Sequence, residues 1–146
     1  MRPYSVHIRW ADLDANRHVR HSAYYDYAAQ ARIQFMTEAG LDSKKLEELH
    51  VGPILFREEC VFRRELLLED TVHITTEMLH ARHNFSRWAM QHQFFKNGAT
   101  LATVLTIEGA WLDLRQRKLA TPDAFVQSVF AAFPRAAGFQ WTDAVG

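Results

Sequence analysis

Ser22-Ala23-Tyr24-Tyr25-Asp26-Tyr27-Ala28-Ala29-Gln30-Ala31-Arg32-Ile33-Gln34-Phe35 is the stretch on which the fold turns. Tyr24, Tyr27, Ala28, Ala31 and Phe35 fall at i, i+3, i+4, i+7 and i+11, the spacing of one helical face. Gly40 stands where a helix C-terminus takes a left-handed residue. Some 18 residues at 1.5 Å each predict a helix roughly 27 Å long, enough to cross a domain. The small residues Ala28, Ala29 and Ala31 would let a sheet approach it closely. A short second helix is expected next, capped by Asp42 or Ser43 and ended near Gly52.

Outward from the helix the pattern changes to period two. Upstream, Val6, Ile8 and Trp10 alternate with His7 and Arg9, which predicts a half-buried strand. Asp12 to Arg20 reads as an irregular loop. Downstream, Ile54 to Leu67 predicts one long strand or two short ones around Arg57-Glu58-Glu59. Val72, Ile74, Thr76 and Met78 form a second row, and Trp88, Met90, His92 and Phe94 a third. Asn97-Gly98 is a two-residue hairpin signal because both residues tolerate positive φ. Leu101 to Leu112 is the returning strand, with Thr103, Leu105, Ile107 and Trp111 on one side. Thr121 as N-cap and Pro122 at N1 would open a last helix with the stripe Phe125, Val129, Phe133. Helices set apart from a run of antiparallel strands imply an α+β domain rather than a parallel α/β sheet.

No repeat or linker divides the 146 residues, so 1–146 reads as a single domain. Apolar residues make up 48%, which excludes disorder, and 17 basic residues balance 17 acidic ones. A neutral chain lacks the positive field that nucleic acid requires. Cys60 stands alone, so no internal disulfide forms, and it reads as a strand residue in a reducing compartment. No run reaches the roughly 18 apolar residues of a membrane span. A soluble, cytoplasmic protein is expected.

Chemistry concentrates in Trp10-Ala11-Asp12-Leu13-Asp14-Ala15-Asn16-Arg17-His18-Val19-Arg20-His21-Ser22. Two carboxylates, an amide and two imidazoles sit on a loop that leads into a helix N-terminus. Such a terminus presents free N–H groups to a developing oxyanion. A carboxylate beside it can activate water or attack an acyl carbon. The bland reading is that Asp12 and Asp14 merely bond loop amides or cap the helix. His18 and His21 stand three apart, a spacing metals use, but no second ligand set accompanies them; no metal or other cofactor is expected.

The run from Trp10 through Asp14 to His18-Val19, then Ala23-Tyr24 and Ala31-Arg32, resembles the amino-terminal signature of hot-dog-fold acyl-CoA thioesterases. The 4-hydroxybenzoyl-CoA and long-chain acyl-CoA thioesterase groups are the nearest in pattern. The resemblance extends through Phe62-Arg63-Arg64 and Asp70-Thr71-Val72 to Leu119. It implies a long helix packed on a curved antiparallel sheet, a homodimer or homotetramer, and sites at the subunit interface. It also implies that Asp14 is the catalytic nucleophile or general base, with acyl-CoA or an acyl carrier protein thioester as substrate. By the same resemblance His18 shapes the site or touches substrate, and amides around His21 and Ser22 polarise the carbonyl. Asp12 takes a supporting place.

The chain departs from that pattern where Arg20-His21 replaces a common Asn-Asn, and where Arg17 replaces a Gly. Ala29 and Gln30 stand where later acidic residues are frequent. Arg82, Asn84, Ser86 and Arg87 form a basic inter-strand loop suited to coenzyme A phosphates. Asp-x-Asp after a strand also opens aspartyl phosphatases, but Asn16 at the fifth position and the absence of alternating βα units argue against them. The remaining alternative is a non-catalytic hot-dog module that binds acyl-CoA or acyl carrier protein.

Overall fold

The computed structural model describes residues 2–144. Its elements follow the order β1 (Tyr4–Val6), α1 (Ala23–Glu38), α2 (Ser43–Leu49), β2 (Val51–Phe62), β3 (Val72–Ala81), β4 (Arg87–Lys96), β5 (Thr100–Asp113), β6 (Lys118–Ala120), α3 (Ala124–Ala131) and β7 (Arg135–Trp141). The seven strands make one sheet with the central order β1-β3-β4-β5-β2. All pairs are antiparallel except β3–β7. This is the expected α+β, hot-dog arrangement of one long helix on a sheet.

The α1 stripe does what its spacing requires except at Phe35, which is half-buried against Phe133. Tyr24, Tyr27, Ala28 and Ala31 are buried with Met36, and Ala28 is wholly covered. They meet the inward rows of β3 (Ile74, Thr76, Met78), β4 (Met90, His92, Phe94) and β5 (Leu105, Ile107), all buried. A second packing centre lies under α3. Phe130 packs at 4.8 Å from Trp111 and 5.2 Å from Trp88, edge to face with both. The Trp88 ring lies over Gly109, where an added Cβ would fall 2.5 Å from the indole and 2.6 Å from the Ile54 carbonyl. Glycine alone permits that approach.

Several expectations need correction. The first strand ends at Val6, and Trp10–Asp12 forms a 3-10 turn instead. Reciprocal bonds between Arg9 and Asp12 close that turn and throw Trp10 outward, 78% exposed. Ile54 to Phe62 belongs to one strand that starts earlier, at Val51, with an irregularity between Leu55 and Arg57. His50, left-handed at φ 54, makes the sharp passage from α2 into it. The Asn97-Gly98 turn has both residues at positive φ, but the loop also takes in Ala99. The last helix is capped by Asp123, whose side chain accepts from the Val126 N–H, not by Thr121. Its buried stripe is accordingly Val126, Val129, Phe130 and Phe133, and Phe125 faces outward.

The edges of the sheet differ. β1 and β7 share the outer edge of β3, one against Val72–Ile74 and the other against Met78–Ala81. β2, at the opposite edge, pairs among the described residues only with β5. Its Leu55, Phe56, Val61 and Phe62 are exposed, at 37 to 53%.

Candidate active site

The loop between β1 and α1 is a small hairpin. Leu13 and Val19 form an isolated antiparallel bridge, the Asp14 N–H donates to the His18 carbonyl, and the Arg17 N–H donates to the Asp14 carbonyl. Arg17 takes φ 67, the left-handed region, which such a three-residue turn demands of its last residue. The Val19 N–H is tied to the Leu66 carbonyl at 2.8 Å, which pins the hairpin to the β2–β3 connection.

The hairpin separates the two carboxylates. Asp12 is 1% exposed and accepts from Tyr27 Oη at 2.7 Å, from Arg9 through its backbone and side chain, and lies 3.6 Å from Arg20 Nη1. Hydrogen bonds from Arg9, reinforced by Tyr27, hold this carboxyl far below the usual carboxylate range despite its burial. The Tyr27 hydroxyl is correspondingly pushed above its ordinary range by burial and by the adjacent anion. Asp12 is thus a saturated anchor for the loop. Arg20 is a brace as well: it donates to the Ala11 carbonyl at 2.7 Å and to Ser22 Oγ at 3.1 Å. Ser22 therefore receives Arg20 rather than capping α1, and its side chain makes no cap bond.

Asp14 stands at the hairpin tip, partly exposed. Its Oδ1 accepts from the Asn16 N–H at 2.9 Å, and its Oδ2 lies 3.1 Å from His18 Nδ1. The other neighbour of His18 Nδ1 is the Val19 carbonyl at 3.3 Å. With acceptors on both sides, Nδ1 carries the hydrogen, and among the described residues nothing engages Nε2. A cleft of about 350 Å³ is lined by Asp14, His18, Val19, His21, Tyr24, Phe62, Arg63, Arg64 and Glu65. Among the described residues no acceptor takes the His21 or Ser22 N–H, so the start of α1 keeps two free donors, and His21 lines this cleft. A second cleft, about 630 Å³, runs along the outer side of Asp14 between Trp10, Leu13, Arg17, Leu67 and Leu68.

Asp14, His18 and His21 therefore converge, whereas Asp12 is buried away from them and Ser22 is engaged by Arg20. Arg82, Asn84, Ser86 and Arg87 lie at the far end of the β3–β4 hairpin. β3 spans residues 72–81, and ten strand residues at about 3.3 Å put roughly 30 Å between its ends. There Asn84 Oδ1 accepts the Ser86 N–H to shape the turn, and Arg87 stacks over Phe56 at 4.7 Å. By spacing Trp10 and Phe62-Arg63-Arg64 read as strand residues, and nothing in the sequence marks either as the wall of a cleft. Only their position beside the hairpin makes them visible.

One long helix packed on an antiparallel sheet is the hot-dog arrangement. Residues 8–130 match the model of the thioesterase-like superfamily, and the chain belongs to that family. A putative esterase of Aquifex aeolicus is 27% identical over 78 residues, covering 52% of this chain and 61% of that protein, so the match spans well under the relative's full length. Among solved structures, a hypothetical protein of Staphylococcus aureus in complex with CoA superposes with a TM-score of 0.84 at 17% identity, over 92% of this chain and 85% of that one. A gentisyl-coenzyme A thioesterase gives 0.76 at 23% identity, over 88% and 98%. A 1,4-dihydroxy-2-naphthoyl-CoA thioesterase of Synechocystis gives 0.79 at 14% identity, over 89% and 95%. At these identities the likeness establishes the fold.

Proposed function

We propose that this protein hydrolyses acyl-CoA thioesters, with Asp14 as its catalytic residue. The observation that carries the reading is the placement of Asp14 at a pinned hairpin tip, within one cleft with His18, His21 and the start of α1. The thioester carbonyl oxygen accepts from the free His21 and Ser22 N–H groups, which stabilise the charge it gains. Asp14 attacks the carbonyl carbon or removes a proton from an attacking water. In either course the C–S bond breaks, the thiol takes a proton and water supplies the carboxylate oxygen. His18 holds the Asp14 carboxylate in orientation through Nδ1. Apolar surface for the acyl group lies to both sides of Asp14, at Val19, Tyr24 and Phe62 and at Trp10, Leu13, Leu67 and Leu68.

The distant basic turn finds a place in this reading through assembly. Two copies paired antiparallel along β2 would set the Val51–Phe56 end of one beside the Phe62–Arg64 end of the other. Arg82, Asn84, Ser86 and Arg87 of one copy then flank the Asp14 cleft of its neighbour, where coenzyme A phosphates would emerge.

Asp14→Asn removes the charge at nearly constant shape. It is expected to lower turnover of the best acyl-CoA by about 100-fold or more, with the melting temperature kept. A folded Asp14→Asn protein with full activity would refute the assignment. Tight acyl-CoA binding by a wild-type protein that hydrolyses no member of a broad panel would favour a binding module instead.

A further inference from the structure

β2 passes into the β2–β3 connection through a local defect. The Arg63 and Arg64 N–H groups both donate to the Ala102 carbonyl, at 2.9 Å each. Two residues facing one is a β-bulge, a device that re-aims side chains and is over-represented beside active sites. In a regular strand, neighbouring residues point to opposite faces. Here Arg63 and Arg64 both line the cleft that holds Asp14, His18 and His21.

Both arginines are exposed, and neither belongs to an ion pair among the described residues. The acidic residues on the same cleft are Asp14, already engaged by His18 and Asn16, and Glu65. Glu65 meets Lys96 through its backbone carbonyl rather than its carboxylate. The bulge therefore brings two adjacent arginines, each ending in a fork of fixed N–H donors, to the lining of the cleft that holds Asp14. A planar oxyanion or a phosphate is the ligand such forks match.

Building on the thioesterase reading above, we propose that Arg63 and Arg64 form an anion subsite that holds a charged oxyanion group of the substrate while its thioester carbonyl lies at Asp14. Two parts of a substrate carry such a group: a phosphate of the coenzyme A carrier, or a carboxylate on the acyl chain. The subsite confers selectivity by charge, and it draws that charge from a bulge rather than from any residue of the Asp14 hairpin.

Four thioesters test it: butyryl and glutaryl groups, each on coenzyme A and on pantetheine, which lacks the phosphates. The Arg63→Ala/Arg64→Ala protein is compared with wild type, and Arg63→Gln/Arg64→Gln guards against misfolding by keeping the aliphatic stem and a polar end without the charge. The double variants are expected to raise KM about tenfold or more wherever the recognised anion is present, with kcat within threefold. Butyryl-pantetheine, which carries no anion, should be unaffected. A penalty on both coenzyme A substrates assigns the phosphate; a penalty on both glutaryl substrates assigns the acyl carboxylate. An unchanged KM for all four, or an equal loss on butyryl-pantetheine, overturns the subsite.

Equilibrium binding of free coenzyme A and of glutarate separates this idea from the hydrolase reading. If wild type turns over no thioester, yet binds one of these ligands and the double variants bind it tenfold more weakly, the subsite stands and the hydrolase falls. Binding that is indifferent to both arginines in such a protein removes the subsite too.

Discussion

Asp12 and Asp14 stand two positions apart in the sequence, and the bridge between Leu13 and Val19 sends them to different surroundings. Asp12 goes inward to Arg9, Arg20 and Tyr27, where its charge is spent on holding the loop. Asp14 stays at the tip with one oxygen on a backbone amide and the other on His18. That tip carries a local cost, because Arg17 occupies a left-handed conformation that a side chain disfavours by about 1 kcal/mol or more. Glycine accepts φ 67 freely, although its unfolded chain has more entropy to lose. Arg17→Gly should therefore raise the unfolding free energy by about 0.5–1 kcal/mol, read as a higher urea midpoint at unchanged slope. A lower midpoint would show that the Arg17 side chain anchors the hairpin. At this scale the sequence displays the cluster of groups but does not rank them. Asp12 and Asp14 look alike until Tyr27, a full fifteen residues on, is folded against one of them. Arg63 and Arg64 look like an ordinary alternating pair until Ala102 accepts from both.

Among the elements, α1 is joined to the sheet by a polar contact as well as by its apolar stripe. Arg32 Nη1 lies 2.9 Å from His92 Nε2, and Thr76 Oγ1 lies 2.9 Å from His92 Nδ1. Arg32 is a donor only, so Nε2 must accept and the ring must be neutral, with its hydrogen on Nδ1 toward Thr76. Burial and the Arg32 charge push the His92 pKa down to about 3. In the unfolded chain a histidine titrates near 6.5. The neutral ring's contribution is therefore whole above pH 6.5 and is lost as pH falls from there toward the folded value. Between pH 7 and 5 this linkage is worth about 2 kcal/mol. Denaturant unfolding at the two pH values should show wild type losing about that much more than His92→Gln, which cannot titrate there. Parallel losses in the two proteins would mean that His92 is not held neutral.

Elements with a strong period were legible in advance. The α1 stripe, apart from the half-buried Phe35, and the rows of β3, β4 and β5 bury the residues their spacing names, because each buries one face against a single partner layer. β7 was not legible: Arg-Ala-Ala-Gly-Phe-Gln-Trp has no alternation, and it is a strand only because β3 offers it an open edge. β1 was overextended because Ile8 and Trp10 continue its pattern, while the Arg9–Asp12 bonds turn the chain away.

For the molecule as a whole, β2 is the feature that a lone chain leaves unsatisfied. It has twelve residues, unpaired groups along one side, and exposed Leu55, Phe56, Val61 and Phe62. Such an edge is a template for another strand. The protein is expected to sediment as a dimer, or as a multiple of one, at micromolar concentration. Phe56→Lys with Val61→Lys should shift it toward the monomer, since charges on an edge strand oppose pairing. A wild-type protein that stays monomeric throughout this range would contradict the expectation.

The opposite margin of the sheet sets how far such growth can go. β1 is three residues long, and β7 holds only the far end of β3 and carries Gly138 at φ 85. Neither offers a newcomer a long, straight row of free amides. If two copies pair along β2, neither has a second long edge to offer, so growth by strand pairing would stop at two. A sheet open on both sides would instead propagate as a ribbon, the route by which edge strands lead to aggregates. In that sense the short strand Arg135–Trp141 would act as a chain terminator, since stripping it from β3 would open a second edge along which paired copies could extend into filaments.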